Sequence, residues 1–187
     1  VGHGIDTSRG IEGAHQARPH TPLRLVCVGR LSPIKRVHLL LGALAVLKGQ
    51  GVSVEARIVG SAVMSSDHAY EAQLHRLVAQ YGLDDMVEFV GYVPHDALGQ
   101  QYEGADIVVG LTPPGGIDKV LLEAMSWGCS VVTTNTVMAD HLGQHASTMV
   151  VASDDEGSIA RAITSVPCGQ TVARDMQELA GRHDVRG

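Results

Sequence analysis

The chain has 187 residues, 44% of them hydrophobic, which is enough apolar material for the core of one domain. Its 14 Lys and Arg against 20 Asp and Glu give a formal charge of -6, so unpatterned attraction to nucleic acid or anionic lipid is disfavoured. The longest apolar run, Leu39 to Leu47, falls far short of the roughly 20 residues of a membrane span, and Cys27, Cys129 and Cys168 form neither a CxxC pair nor a disulfide framework.

The chain opens Val1-Gly2-His3 without Met, a cationic stretch or an apolar stretch, and reads as an excised piece or a processed product. A reducing cytoplasm is the expected compartment. Residues 1–22 read as an interdomain lead-in, because 7–22 carry Gly, Pro, Ser and charges with no apolar period. The folded body is expected over 23–168 and a C-terminal helical tail over 169–187. Short apolar runs predict strands at 23–29, 54–60, 87–91, 106–111, 130–134 and 148–152. Helical periods near 36–48, 67–81, 95–103 and 118–127 alternate with them, and helices near 155–165 and 171–182 close the chain.

The runs read as continuous apolar segments, the signature of strands buried on both faces and joined by right-handed parallel crossovers. The fold class is therefore α/β, a Rossmann-like doubly wound parallel sheet. One Phe and one Trp leave its core to aliphatic residues. In such sheets ligands bind beyond the carboxyl ends of the strands, so the turns there are where chemistry is expected.

The first such turn, Gly29-Arg30-Leu31-Ser32-Pro33-Ile34-Lys35-Arg36, sets three cations in one loop of an acidic chain. Arg offers a planar fork and Lys a compact point charge, and a diphosphate uses both. The second lies between Leu111 and Lys119: Pro113-Pro114 extend the chain, Gly115-Gly116 let a ligand approach the backbone, and Ile117, Asp118 and Lys119 lead into a helix N-terminus that favours anions. Asp118 also suits an N-cap, where it would satisfy those donors itself. Glu123, one turn into that helix and surrounded by Leu121, Leu122, Ala124 and Met125, leans toward the ligand mouth and would accept from a diol. Gly60-Ser61 and Gly91-Tyr92-Val93-Pro94 end two further strands; they are either walls of a slot for a flat base or ordinary turns.

Other chemistries lack their patterns. There is no GxGxxG after a strand, no GxxxxGK and no GxSxG, and His141 and His145 have no HExxH between them. No metal site is expected, and the ten histidines are read as surface or packing residues.

In chain order, VGHGIDT, LVCVGRLSPIKRVHLLLGAL, ARIVG, LHRLVAQYGLDDMVEFVGYVP, YEGADIVV and KVLLEAMSWGCSVVTTN resemble the C-terminal half of a family 4 (group 1) glycosyltransferase of GT-B fold, from residue 1 to about 165. The resemblance implies a domain that binds a nucleoside-diphosphate sugar, UDP- or GDP-linked, with no further cofactor. It implies that an N-terminal domain of the same polypeptide supplies most of the acceptor site and any peripheral membrane association. Arg30 and Lys35 would hold the diphosphate and Glu123 the ribose hydroxyls. The family's E-x7-E pattern has its first Glu eight positions before Glu123, where this chain has Gly115; Asp118 is the substitute carboxylate in the same loop. The expected activity is retaining glycosyl transfer, with the isolated fragment inactive. A non-catalytic nucleotide-binding module of the same fold is the alternative.

Overall fold

The structure, a computed structural model, describes residues 21–183, so most of the expected lead-in and the end of the expected tail lie outside the described residues. Five strands are described: β1 (Leu23–Val28), β2 (Val54–Val59), β3 (Val87–Gly91), β4 (Ile107–Gly110) and β5 (Ser130–Thr133). All pair in parallel in the order β3-β2-β1-β4-β5. The order reverses direction between β1 and β4, and the crevice at their carboxyl ends is where such a sheet receives ligands.

Helices fill the crossovers: α1 (Val37–Gly49), α2 (Ser65–Tyr81), α3 (Gly99–Glu103) and α4 (Lys119–Ser126). After β5 come α5 (Ala139–Leu142), α6 (Ala146–Met149), α7 (Glu156–Ser165) and α8 (Gln170–Gly181). α1 packs on α2 and α7, and α4 packs on α8, so right-handed crossovers leave helices on both faces of the sheet. The core is aliphatic, with Leu25, Leu40, Leu41, Leu44, Ile58, Ile107 and Leu121 almost wholly buried. The expected tail is a packed element: Ala173, Met176 and Ala180 of α8 are buried.

Two expectations are corrected. The sixth strand at 148–152 does not form; Met149 ends α6, and a single parallel bridge joins Val150 to Thr133. The reason is local. Residues 136–149 coil through short helical turns, and at Ser153 the chain already turns again, its Oγ bonding Asp155 while Asp155 Oδ1 accepts from Ser158 N–H at 2.8 Å to cap α7. Only the bridge at Val150 and the bond from Val151 N–H to the Thr133 carbonyl, 2.8 Å, remain alongside β5.

Nor is every strand covered on both faces. Glu55 and Arg57 of β2 and Glu88 of β3 lie at one face, where Arg57 Nε meets Glu88 Oε2 at 2.9 Å. α3, only five residues long, is too short to cover that part of the sheet. Read residue by residue, Val54 to Ile58 and Val87 to Phe89 alternate, as half-open strands do.

The strand ends are drawn together by glycine. Gly29 N–H donates to the Val59 carbonyl at 2.9 Å, Gly60 N–H to the Gly91 carbonyl at 2.8 Å, and Leu31 N–H to the Ser61 carbonyl at 3.0 Å. A Cβ at Gly60 would stand 2.0 Å from the Gly29 carbonyl oxygen, and its φ of +135° is itself closed to most L-residues. Gly60→Ala is therefore expected to destabilise the fold by about 2 kcal/mol or more in urea titration, whereas Gly49→Ala, in the last turn of α1 with open space around it, raises the midpoint slightly.

Candidate functional site

The loop after β1 divides its three cations. A 3-10 turn at Pro33–Lys35 folds Lys35 back over the strand end, so that a Cβ on Gly29 would lie 3.1 Å from its Cε. Arg30 turns toward α2, its Nε 3.5 Å from the buried Asp67, with Nη1 reaching the Met64 sulfur at 3.6 Å. Arg36 joins Asp154 at 2.7 Å, ahead of α7. Asp67 is fixed independently, because it also accepts from the Met64 N–H at 3.2 Å in the first turn of α2, where a negative charge is favoured.

The loop after β4 lies across from Lys35. Ile34, Lys35, the segment Thr112 to Val120 and Asn135 enclose a cavity of about 500 Å³. Asp118 caps α4: Oδ1 accepts from Val120 N–H at 3.2 Å and Oδ2 from Thr112 Oγ1 at 3.4 Å. Asn135, buried at the end of β5, donates from Nδ2 to the Gly116 carbonyl at 2.7 Å and accepts from Val137 N–H at 3.1 Å. It thereby ties the glycine pair to the sheet.

Lys35 and Gly115, Gly116, Ile117, Asp118 and Lys119 thus meet in one cavity. Gly29 is its neighbour through the Lys35 side chain. Glu123 lines a second, smaller cavity of about 230 Å³ with His95, Tyr102 and Trp127. His95 Nε2 lies 2.9 Å from Glu123 Oε1. Tyr92 is largely exposed on the strand-end rim, Val93 packs on the core, and Gly60 abuts the Gly29 backbone; none of the three lines either cavity. A third cavity, of about 420 Å³, lies at the opposite, amino ends of β1 to β3 among Arg24, Glu55, Arg57, Asp84, Asp85 and Glu88; it is the end of a parallel sheet where ligands are not received.

The sequence reading missed Asn135, Asp67 and His95. Asn135 had a visible signal, an Asn that directly follows the expected strand Ser130 to Thr134, which is the place for a cap. Asp67 and His95 act across more than 25 residues of sequence, and no local pattern announces such contacts.

The model of the glycosyl transferases group 1 family matches residues 10–182. The chain belongs to this family. The amylovoran biosynthesis glycosyltransferase AmsK of Erwinia amylovora is 31% identical over 77% of the chain and 35% of its own length. D-inositol 3-phosphate glycosyltransferase 2 of Catenulispora acidiphila is 29% identical over 100% of the chain and 46% of its own length. The chain thus spans less than half the length of these relatives. Among solved structures, Anabaena Alr3699/HepE in complex with UDP superposes with a TM-score of 0.74 at 27% identity, over 88% of this chain and 45% of that one. The C-terminal domain of the group 1 glycosyl transferase LpcC from Francisella tularensis superposes with a TM-score of 0.75 at 18% identity, over 97% of this chain and 100% of that one. This group 1 domain therefore has the Rossmann-like α/β fold of GT-B glycosyltransferases.

The buried end of β1 records the electrostatics of the site. Burial pushes the Cys27 thiol up to about 12, while Lys35 lowers it and Asp118 raises it, so both charges flank that strand end. A thiol held neutral in the fold but ionising near 8.5 when unfolded gives the unfolded chain fewer protons in between, so stability falls as pH rises from about 8.5 toward 12. Urea midpoints measured under reducing conditions are expected to fall over that window, and to fall less in Cys27→Ala.

Proposed function

We propose that this group 1 domain binds the nucleoside-diphosphate sugar, UDP- or GDP-linked, of a retaining glycosyltransferase that acts in the cytoplasm. The acceptor is held mainly by a further domain of the same polypeptide, without which the chain transfers no sugar. The observation that carries this reading is the meeting of Lys35 with the Gly115-Gly116 loop and the N-terminus of α4 at the crossover point between β1 and β4.

A diphosphate placed there faces the Lys35 ammonium and the helix end that begins beyond Gly116 and Ile117. Arg30 is within the same strand-end turn, and its contact with Asp67 is one-pronged, so the guanidinium turns to phosphate by giving up that 3.5 Å pairing and the weak contact of Nη1 with the Met64 sulfur. As the sugar–phosphate bond breaks, negative charge grows on the departing diphosphate. Donors already aimed at it stabilise that charge, each worth about 2.7 to 4 kcal/mol in the transition state. Cations of the chain supply this charge in the scheme, which calls for no metal. Glu123 accepts from the ribose diol, and Gly29 and Gly60 keep the strand ends close enough for backbone approach.

Gly115 stands where the resemblance implies a Glu toward the sugar. A Cβ there would meet nothing within 4 Å, and the oxygens of Asp118, the nearest candidate substitute, are engaged by Val120 and Thr112. That arrangement favours, as a second reading, a module that binds nucleotide without transferring sugar. Asp118→Asn, assembled with the acceptor half, separates the two: loss of transfer with nucleotide binding intact marks Asp118 as the substitute acid, and unchanged transfer removes it from that role.

The nucleotide site is tested by calorimetry with UDP and GDP. Lys35→Ala and Arg30→Ala are each expected to weaken binding by about tenfold or more. Equal heats for parent and both variants would remove the diphosphate assignment.

A further inference from the structure

The Glu123 carboxylate is held before any ligand arrives. His95 begins the 3-10 turn after β3, and its Nε2 lies 2.9 Å from Glu123 Oε1. A carboxylate only accepts, so the imidazole donates from Nε2. The side chain of Glu123 is 19% exposed, whereas that of His95 is 81% exposed, so the acid sits inside and the imidazole reaches it from outside.

The turn that carries His95 is itself anchored to α4. A Cβ on Gly99 would meet the Trp127 ring at 2.4 Å, which means that α3 lies with its backbone directly on the indole at the end of α4. Cys129 Sγ also donates to the Tyr102 carbonyl at 3.3 Å. Glu123 leaves the same helix one turn before Trp127. Tyr102 faces it from α3, and burial, then the Glu123 charge, push that phenol up, so it stays protonated.

We infer that His95 is a positioning residue for Glu123: it holds Oε1, fixes the plane of the carboxylate, and leaves Oε2 and the outward lone pairs to accept from the two hydroxyls of a ribose. The inference deepens the donor-binding reading and rests on it. His95 touches the reader of the diol and not the diphosphate, so its loss lowers selectivity for a ribose with both hydroxyls more than it lowers affinity for the phosphates.

The test measures binding of UDP and 2′-deoxy-UDP by calorimetry to the parent chain, His95→Ala and His95→Gln, whose amide keeps a donor near the Nε2 position. The parent is expected to prefer UDP by about tenfold. His95→Ala should cut that preference by about threefold or more while changing 2′-deoxy-UDP affinity by less than about twofold, and His95→Gln should retain most of it. A preference unchanged in His95→Ala overturns the inference. So does equal loss of both nucleotides in both variants, which marks a structural role. A parent that binds both nucleotides equally overturns it while leaving the nucleotide site standing, and a parent that binds neither overturns the donor-binding reading with it.

Discussion

The carbonyl of Gly29 occupies the space that a side chain at position 60 would need, and the crossover site depends on that approach. With the two backbones in contact, β1 and β2 end together; the loop after β1 first runs beside the end of β2, where Leu31 N–H meets the Ser61 carbonyl, and then brings Ile34 and Lys35 to the cavity beyond β4. Lys35 then lies back along Gly29 and faces the glycine pair that precedes α4. A bulkier residue at Gly60 would push the strand ends apart, and one at Gly29 would displace the Lys35 side chain that lies along it. The chemistry of the site therefore begins with a missing side chain.

An acidic protein makes a locally positive cavity by committing its cations separately. Arg36 is spent on Asp154, which ties the loop after β1 to the start of α7. Arg30 is lent to Asp67, a buried acid that also secures the first turn of α2. Lys35 alone of the three lines the cavity. Across from it, Asp118 and Asn135 hold the glycine loop by hydrogen bonds, so the helix end is presented in a fixed place instead of being found by a mobile segment.

The strands of this fold were legible because burial demands apolar runs, and five of the six expected ones form within a residue or two of their expected bounds. The sixth failed where composition looked the same: TMVVA is apolar, yet helical turns before it and the Ser153–Asp155 cap after it leave only the Val150 bridge and the Val151 bond beside β5. The loops that meet at the site were legible too, since cations, prolines and glycines have local reasons to stand at strand ends. What could not be read was which cation faces which acid. Arg30 meets Asp67 and His95 meets Glu123 through the folding of distant segments, and a charge in a sequence carries no record of its partner in space.

The contact between Gly99 and Trp127 has a practical consequence. The chain has a single tryptophan, and the fold puts its indole in the wall of the Glu123 cavity, directly under the helix that follows His95. Its emission comes from one place in the molecule, free of competing indoles, so the protein carries its own fluorophore for following events beside that carboxylate.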